Sequence, residues 1–180
     1  MTAHVREATV ADSAGIARVR IETWRAAYRG LVPQEVLDRL SVERETILRI
    51  ERWDEHHSHA GAHDLVAVAD SEVVGWAFAG PARDPDPPAS GELYAIYAIA
   101  ERWSRGVGHA LLAEVERRLI ADGHEGAYLW MLDGNARAAA FYEAHGWHAD
   151  GGTKEEEGMH EVRRVRSFAE RLGTDRSGTG

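Results

Sequence analysis

Glu92-Leu-Tyr-Ala-Ile-Tyr-Ala-Ile-Ala-Glu-Arg-Trp-Ser-Arg-Gly-Val-Gly-His-Ala-Leu-Leu112 decides the fold. Its apolar run from Leu93 to Ile99 is β-branched and aromatic and has no breaker, the pattern of a strand covered on both faces. Arg105, Gly106 and Gly108 then open an amphipathic helix whose inner face carries Val107, Ala110, Leu111, Val115 and Leu119. A helix start presents unpaired N–H groups and the positive end of its dipole, and glycines let a diphosphate come close to that backbone. Strand, turn and helix together predict a site for an anionic ligand. Glycine also serves plain tight connections at such turns, so Gly-x-Gly alone does not decide. Two nucleotide loops are excluded by spacing: neither Gly-x-x-x-x-Gly-Lys-Ser/Thr nor a three-glycine dinucleotide fingerprint with a later acidic ribose ligand fits this segment.

Downstream, Asn135-Ala-Arg-Ala-Ala-Ala-Phe-Tyr142-Glu-Ala-His-Gly146-Trp147 follows the strand-like Ala127 to Leu132. Asn135 is a good N-cap, Ala136 to Ala144 are mostly strong helix formers, and Gly146 is a natural stop. Seven positions separate Asn135 from Tyr142, which places them roughly 20° apart around the helix and on one stripe.

With both segments in this order and at this separation, the chain resembles the GNAT superfamily of acyl-CoA-dependent N-acetyltransferases from about Val5 to Arg166. That family's pyrophosphate loop reads Gln/Arg-x-x-Gly-x-Gly/Ala, and Trp103-Ser-Arg-Gly106-Val-Gly108 stands in its place with tryptophan first. The resemblance implies that Trp103, Ser104, Arg105, Gly106, Val107, Gly108 and His109 bind the CoA pyrophosphate. It implies that Ala98 and Ile99 hydrogen-bond the pantetheine arm through their backbones, with Asn135 capping a helix beside it. Tyr142 matches the tyrosine that protonates the departing thiolate. Glu92, eleven residues before Trp103, falls where some members carry a general base. Trp24, Tyr28 and the Gly30 to Pro33 turn would lie near the acceptor, in a helix 1 to helix 2 region that core packing explains equally well.

The chemistry gives these residue types a purpose. An aliphatic amine is almost wholly protonated at neutral pH, and only its neutral form attacks a thioester. A carboxylate at the edge of a buried strand can take that proton directly or through water, which suits Glu92 unless it is merely solvated after the Pro87 to Gly91 loop. A phenol can reprotonate the thiolate, which suits Tyr142, although a tyrosine beside Phe141 also suits plain core packing. A backbone N–H of the strand, that of Ala98 first, could stabilise the oxyanion.

Composition sets the outer bounds. The chain has 180 residues, 44% hydrophobic and 28% charged, enough for one domain over 1–167, with a polar and flexible tail expected over 168–180. No basic n-region with an apolar stretch opens the chain, so a soluble, cytoplasmic protein away from membranes is expected. Cysteine is absent, which removes a disulfide framework, thiolate metal sites and a cysteine nucleophile and favours direct transfer. A net charge of −9 argues against a nucleic-acid partner and mildly favours a cationic acceptor. The His56-His57-Ser-His59-Ala-Gly-Ala-His63 cluster has metal-binding side chains but no cysteine, and suits the negative end of a helix. No metal is expected.

Along the chain, Val5 to Ala8 reads as a strand and Asp12 as the cap of a helix over Ala14 to Tyr28. A short helix over Gln34 to Leu40 and a Ser41-capped one over Val42 to His56 precede a hairpin of Asp64 to Ala69 and Val73 to Gly80, turned by Asp70-Ser71-Glu72. Pro81 to Gly91 reads as a mobile loop, Glu155 to Glu157 as a solvated turn, and Trp147 to Ala149 and Glu161 to Val165 as short strands. The resemblance implies an α/β (α+β) GNAT fold: a mixed, mostly antiparallel sheet of about six or seven strands with about four helices, splayed at a bulge between strands 4 and 5. It implies acetyl-CoA as donor and a primary amine of a small molecule or peptide as acceptor, and homodimers are common in the family. A non-catalytic acyl-CoA-binding sensor on the same fold is the alternative.

Overall fold

Two adjacent strands, β2 (His63–Ala69) and β3 (Glu72–Pro81), are buried along nearly their whole length, so both faces of the sheet need cover. Asp70 and Ser71 turn the hairpin between them with φ of 53° and 66°, the left-handed pair that matches strand twist. The computed structural model describes residues 3–169. Together with β1 (His4–Glu7), β4 (Gly91–Ala98), β5 (Gly126–Leu132), β6 (His148–Glu156) and β7 (Met159–Ser167), the hairpin forms one seven-stranded sheet in the order β1-β2-β3-β4-β5-β7-β6.

Neighbouring side chains on β3 show what covers each face. Trp76 donates its indole N–H to Asp64 at 2.5 Å, and Asp64 meets Arg49 of α3 (Val42–Glu51) at 2.6 Å. His57 of α4 (Trp53–His57) adds a contact to Asp64 at 3.2 Å. Gly75 points the other way, and a Cβ there would meet Val107 and Leu111 of α5 (Val107–Ala121) at 2.7 and 2.9 Å. Thus α1 (Ser13–Ala27), packed directly on β3 and β4, covers one face together with α3 and α4, and α5 covers the other. Ile16, Leu65, Leu111, Leu119 and Trp147 are fully enclosed in the core between these layers.

All strand pairs are antiparallel except β4 and β5, which are parallel and joined through α5, as a crossover connection requires. Their ladder covers only Gly91 with Ala127 and Glu92 with Tyr128. Beyond that point the two strands part. A bulge leaves Tyr94 unopposed, since Leu93 faces Ala79 and Ala95 faces Phe78. The splayed sheet expected from the family is therefore present.

Several local expectations differ from what forms. Asp12 does not cap α1; its carboxylate takes two bonds from Arg6 at 2.8 Å and one from the Thr9 N–H at 2.8 Å, because a short 3₁₀ turn over Val10–Asp12 precedes the helix. The 42–56 segment is divided at Arg52 into α3 and α4, and the helix over the preceding segment, α2, is Gln34–Asp38. Glu155 and Glu156 lie in β6, and the turn after them is Glu157-Gly158, with φ of 52° and 76°. The start of the 81–91 loop is fastened: Asp84 accepts from the Trp130 indole at 2.9 Å, and the Ala82 N–H reaches Ser90 O at 2.9 Å. Phe168, assigned to the tail by composition, is buried in the core with its N–H on Glu125 O at 2.8 Å. The rest of the tail, 170–180, lies outside the described residues. Among the described residues no helix is long and apolar enough to cross a membrane.

Candidate active site

Where β4 and β5 part, a cavity of about 820 Å³ opens. Its floor is β4 from Leu93 to Ala98, one end is the turn leading into α5, and its side is α6 (Ala136–Ala144). The floor has a defined polarity. The Ile99 N–H bonds to Val74 O at 3.1 Å, so by the two-residue alternation of an antiparallel ladder the backbone groups of Ile96 and Ala98 turn away from β3, toward the gap. Ala98 O already accepts from Thr23 Oγ1 at 3.0 Å and from the Trp103 indole at 2.8 Å. That leaves its N–H available. Of the two backbones assigned to a pantetheine arm, Ala98 faces the gap and Ile99 does not.

The turn from Trp103 to His109 is shaped by left-handed residues, Ser104 at φ 58° and Gly106 at φ 85°. Gly106 is the N-cap of α5, and Ala110 is the first residue whose N–H reaches back, to Gly106 O at 2.9 Å. The N–H groups of Ser104, Gly106, Val107, Gly108 and His109 consequently have no hydrogen-bond partner among the described residues. Those of Trp103 and Arg105 do, on Ala100 O at 3.1 Å and Arg102 O at 3.2 Å, so these two amides cannot hold a phosphate without breaking the turn. The Val107 side chain is buried beneath the sheet. Gly108 is small because α6 packs there: an added Cβ would stand 3.3 Å from the Phe141 ring.

Asn135 caps α6, accepting the Ala138 N–H at 3.1 Å. The other end closes with Gly146 at φ 78°, its N–H on Glu143 O at 3.0 Å and the Trp147 N–H on Tyr142 O at 2.9 Å. Trp147 is fully buried and its ring lies 6.4 Å from that of Tyr142, so the His-Gly-Trp sequence fixes the tyrosine in place. Asn135 and Tyr142 both face the cavity, as their spacing predicts. The Tyr142 hydroxyl has no hydrogen-bond partner among the described residues, and burial, with Tyr97 close by, pushes its phenol well above the ordinary tyrosine range.

Tyr28 lines the far end of the cavity and Trp24 does not. Their rings meet edge to face at 5.0 Å, and both pack against a separate small cluster of Val32, Leu37 and Leu132. Burial and the neighbouring Tyr97 also raise the Tyr28 phenol.

Glu92 is placed differently from what a general base needs. It is 2% exposed, sits on the closed side of the splay, and is absent from the cavity lining. Its carboxylate accepts the Arg83 N–H at 2.8 Å, the Arg83 guanidinium at 2.6 and 3.2 Å, and the Tyr128 hydroxyl at 2.9 Å. With its oxygens occupied, it holds the start of the 81–91 loop to the β4–β5 junction. The described cavity lining contains no Asp or Glu.

The histidine cluster does not converge. His57 faces Asp64, His63 bonds Asp122 at 2.6 Å, and His59 is 3.0 Å from Ser58; among the described residues no group of three or more His, Cys, Asp or Glu could hold a metal ion. Some cavity residues that make defined contacts carry no signal in the sequence pattern. Arg137 lies over the Trp103 ring, and His145 accepts or donates across 2.9 Å to His109, bridging α6 and α5. Thr23 pins Ala98. Arg137 and His145 fall inside the quoted helix segment, where nothing in the pattern separates them from solvent-facing residues.

Free amides at one end, open strand edge in the middle and an unpartnered phenol beside it fit a long phosphorylated thioester lying in the gap. The comparisons with known proteins agree. The model of the Acetyltransferase (GNAT) family matches residues 21–147. The uncharacterized N-acetyltransferase YuaI of Bacillus subtilis (strain 168) is 34% identical over 144 residues, 78% of each chain. The crystal structure of PaiA N-acetyltransferase from Thermoplasma acidophilum in complex with coenzyme A superposes with a TM-score of 0.73 at 20% identity, covering 92% of this chain and 100% of that one. Ribosomal-protein-alanine N-acetyltransferase from Brucella melitensis gives 0.65 at 24% identity, over 91% and 99%. The two structures speak to the fold; the family match and the Bacillus relative speak to descent. By both measures this chain belongs to the GNAT family of acetyltransferases.

Proposed function

We propose that the protein transfers an acetyl group from acetyl-CoA to a primary amine of a small molecule or peptide, by direct attack with both substrates bound. One observation carries this reading: the free amides of Ser104, Gly106, Gly108 and His109, the gap-facing backbone of Ile96 and Ala98, and the unpartnered Tyr142 hydroxyl border a single cavity. The bound donor supplies an activated acyl carbon and a thiolate leaving group.

In this reading the first turn of α5 binds the diphosphate, since its N–H groups and helix dipole both favour an anion. Ile96 and Ala98 pair with the pantetheine amides as a strand would, in the place β5 has vacated. The Ala98 N–H, already aimed into the gap, stabilises negative charge growing on the thioester oxygen. Tyr142 donates its proton to the departing sulfur; a phenol held protonated by burial is a competent acid at neutral pH. The amine enters from the Tyr28 end and gives its proton to water there, since Glu92 is committed to Arg83 and Tyr128.

The test is to incubate the protein with acetyl-CoA and a panel of polyamines, amino sugars, amino acids and peptide N-termini while following free thiol. Thiol release with at least one amine, well above hydrolysis, is expected. If CoA binds and no amine accelerates thiol release, the non-catalytic sensor replaces the enzyme.

A further inference from the structure

Two arginines line the cavity, and their surroundings differ. Arg102 is paired with Asp70 at 3.0 Å. Arg137, in the first turn of α6, has no carboxylate partner among the described residues. Its guanidinium lies 4.2 Å from the centre of the Trp103 ring, and its Nη2 donates to Ser104 Oγ at 3.4 Å. Trp103 is itself fixed, its indole N–H tied to Ala98 O at 2.8 Å. A guanidinium stacked on an indole keeps its in-plane donors clear of the ring, and those donors match two oxygens of a phosphate. Stack and amides border the same cavity end, with Ser104 common to both.

Trp103, at the head of this turn, is uncharged, so the loop's first side chain offers no cation here. We infer that Arg137 supplies it from the opposite element: held over the Trp103 ring, it grips the diphosphate of the acyl-CoA against the amides of Ser104, Gly106, Gly108 and His109. This rests on the acyl-CoA reading above. The stack joins the turn after β4 to the helix after β5, so the clamp also ties the two sides of the gap together around the ligand. A tryptophan at the loop's first position thereby becomes a platform.

The test is calorimetry on wild type, Arg137→Gln, Arg137→Lys and Trp103→Leu with CoA and dephospho-CoA, and NMR titration of the same proteins with S-acetyl-pantetheine, which has no phosphate. Arg137→Gln should weaken CoA and dephospho-CoA alike by about tenfold or more, as loss of a charge-assisted pair does, and leave S-acetyl-pantetheine unchanged. Arg137→Lys should recover part of the loss, and Trp103→Leu should show a smaller loss confined to the phosphorylated ligands. Equal weakening of S-acetyl-pantetheine would reduce the stack to a structural strap, and unchanged CoA affinity would remove Arg137 from the site. A loss confined to CoA, absent with dephospho-CoA, would move the contact to the 3′-phosphate and overturn the diphosphate assignment. Wild type giving no heat with CoA would overturn the acyl-CoA reading itself, and this clamp with it.

Discussion

Tyr142 and Glu92 read alike in the sequence, each a polar residue set against an apolar run, yet their neighbours give them opposite duties. The Tyr142 hydroxyl is unpartnered and faces the cavity, whereas Glu92 spends its carboxylate on Arg83 and Tyr128. Tyr142→Phe should lower kcat by roughly 10²-fold or more, the typical worth of a positioned acid, with the melting temperature nearly unchanged because the ring keeps its contact with Trp147. Since burial raises the phenol above its ordinary value, the proton-bearing form persists as pH climbs, and wild-type activity should show no loss from its ionisation up to about pH 10, the unperturbed tyrosine value. Steady-state pH profiles of both proteins check this, and an undiminished Phe variant removes Tyr142 from the chemistry. Glu92→Gln should instead cost stability, about 1–3 kcal/mol for disrupting a buried, charge-assisted network, and leave the rising limb of the pH–rate profile in place. Loss of that limb would restore Glu92 as the base. Tyr142 and Asn135 were legible because helical spacing is a property of the sequence itself. Arg137 was not, because its site is made by contact with a turn some 33 residues away in the chain.

The position of α5 on the sheet couples packing to the ligand. Its first turn carries the free amides, and that same turn rests on Gly75, where an added Cβ would meet Val107 Cγ1 at 2.7 Å and Leu111 Cδ1 at 2.9 Å. Gly75→Ala should therefore force the start of α5 outward, lowering stability by about 1–3 kcal/mol, as overpacking does, and weakening acetyl-CoA binding although Gly75 itself lies outside the cavity lining. Denaturant melts and calorimetry separate the two effects; reduced stability with unchanged affinity would mean that the helix absorbs the methyl without moving its turn. Elements with strong apolar periodicity, β2 to β5 and α5, were legible almost to their ends. The β6–β7 hairpin was seen only in part, because β6 is the exposed outer edge of the sheet and its Gly151, Gly152 and acidic residues carry no alternation. Asp12 misled for a physical reason: a carboxylate three residues beyond Thr9 can close a turn with it as readily as cap the next helix, and Arg6 draws it to the former.

Taken as a whole, the sheet consists of two parts, β1 to β4 and β5 with the β6–β7 hairpin, joined across the splay by the residue pairs Gly91–Ala127 and Glu92–Tyr128. Past Glu92 the edge of β4 has no strand beside it among the described residues, so the backbone groups of Ile96 and the N–H of Ala98 are left facing the gap. A pantetheine arm in the gap would act as the missing strand, while its phosphates engage α5. Two consequences can be measured on one sample. The Ile96 and Ala98 amides should exchange with deuterium much more slowly once CoA is added, whereas Ile99, already bonded to Val74 O at 3.1 Å, should change little. Saturating ligand should also raise the melting temperature: at about 100 times Kd mass action adds about 2.7 kcal/mol, or roughly 5–10 °C for a chain of this size. A rise in melting temperature without slowed exchange at Ile96 and Ala98 would place the ligand on the turn of α5 alone, outside the gap, and the acyl carbon would then lie too far from Tyr142 for the proton transfer proposed here.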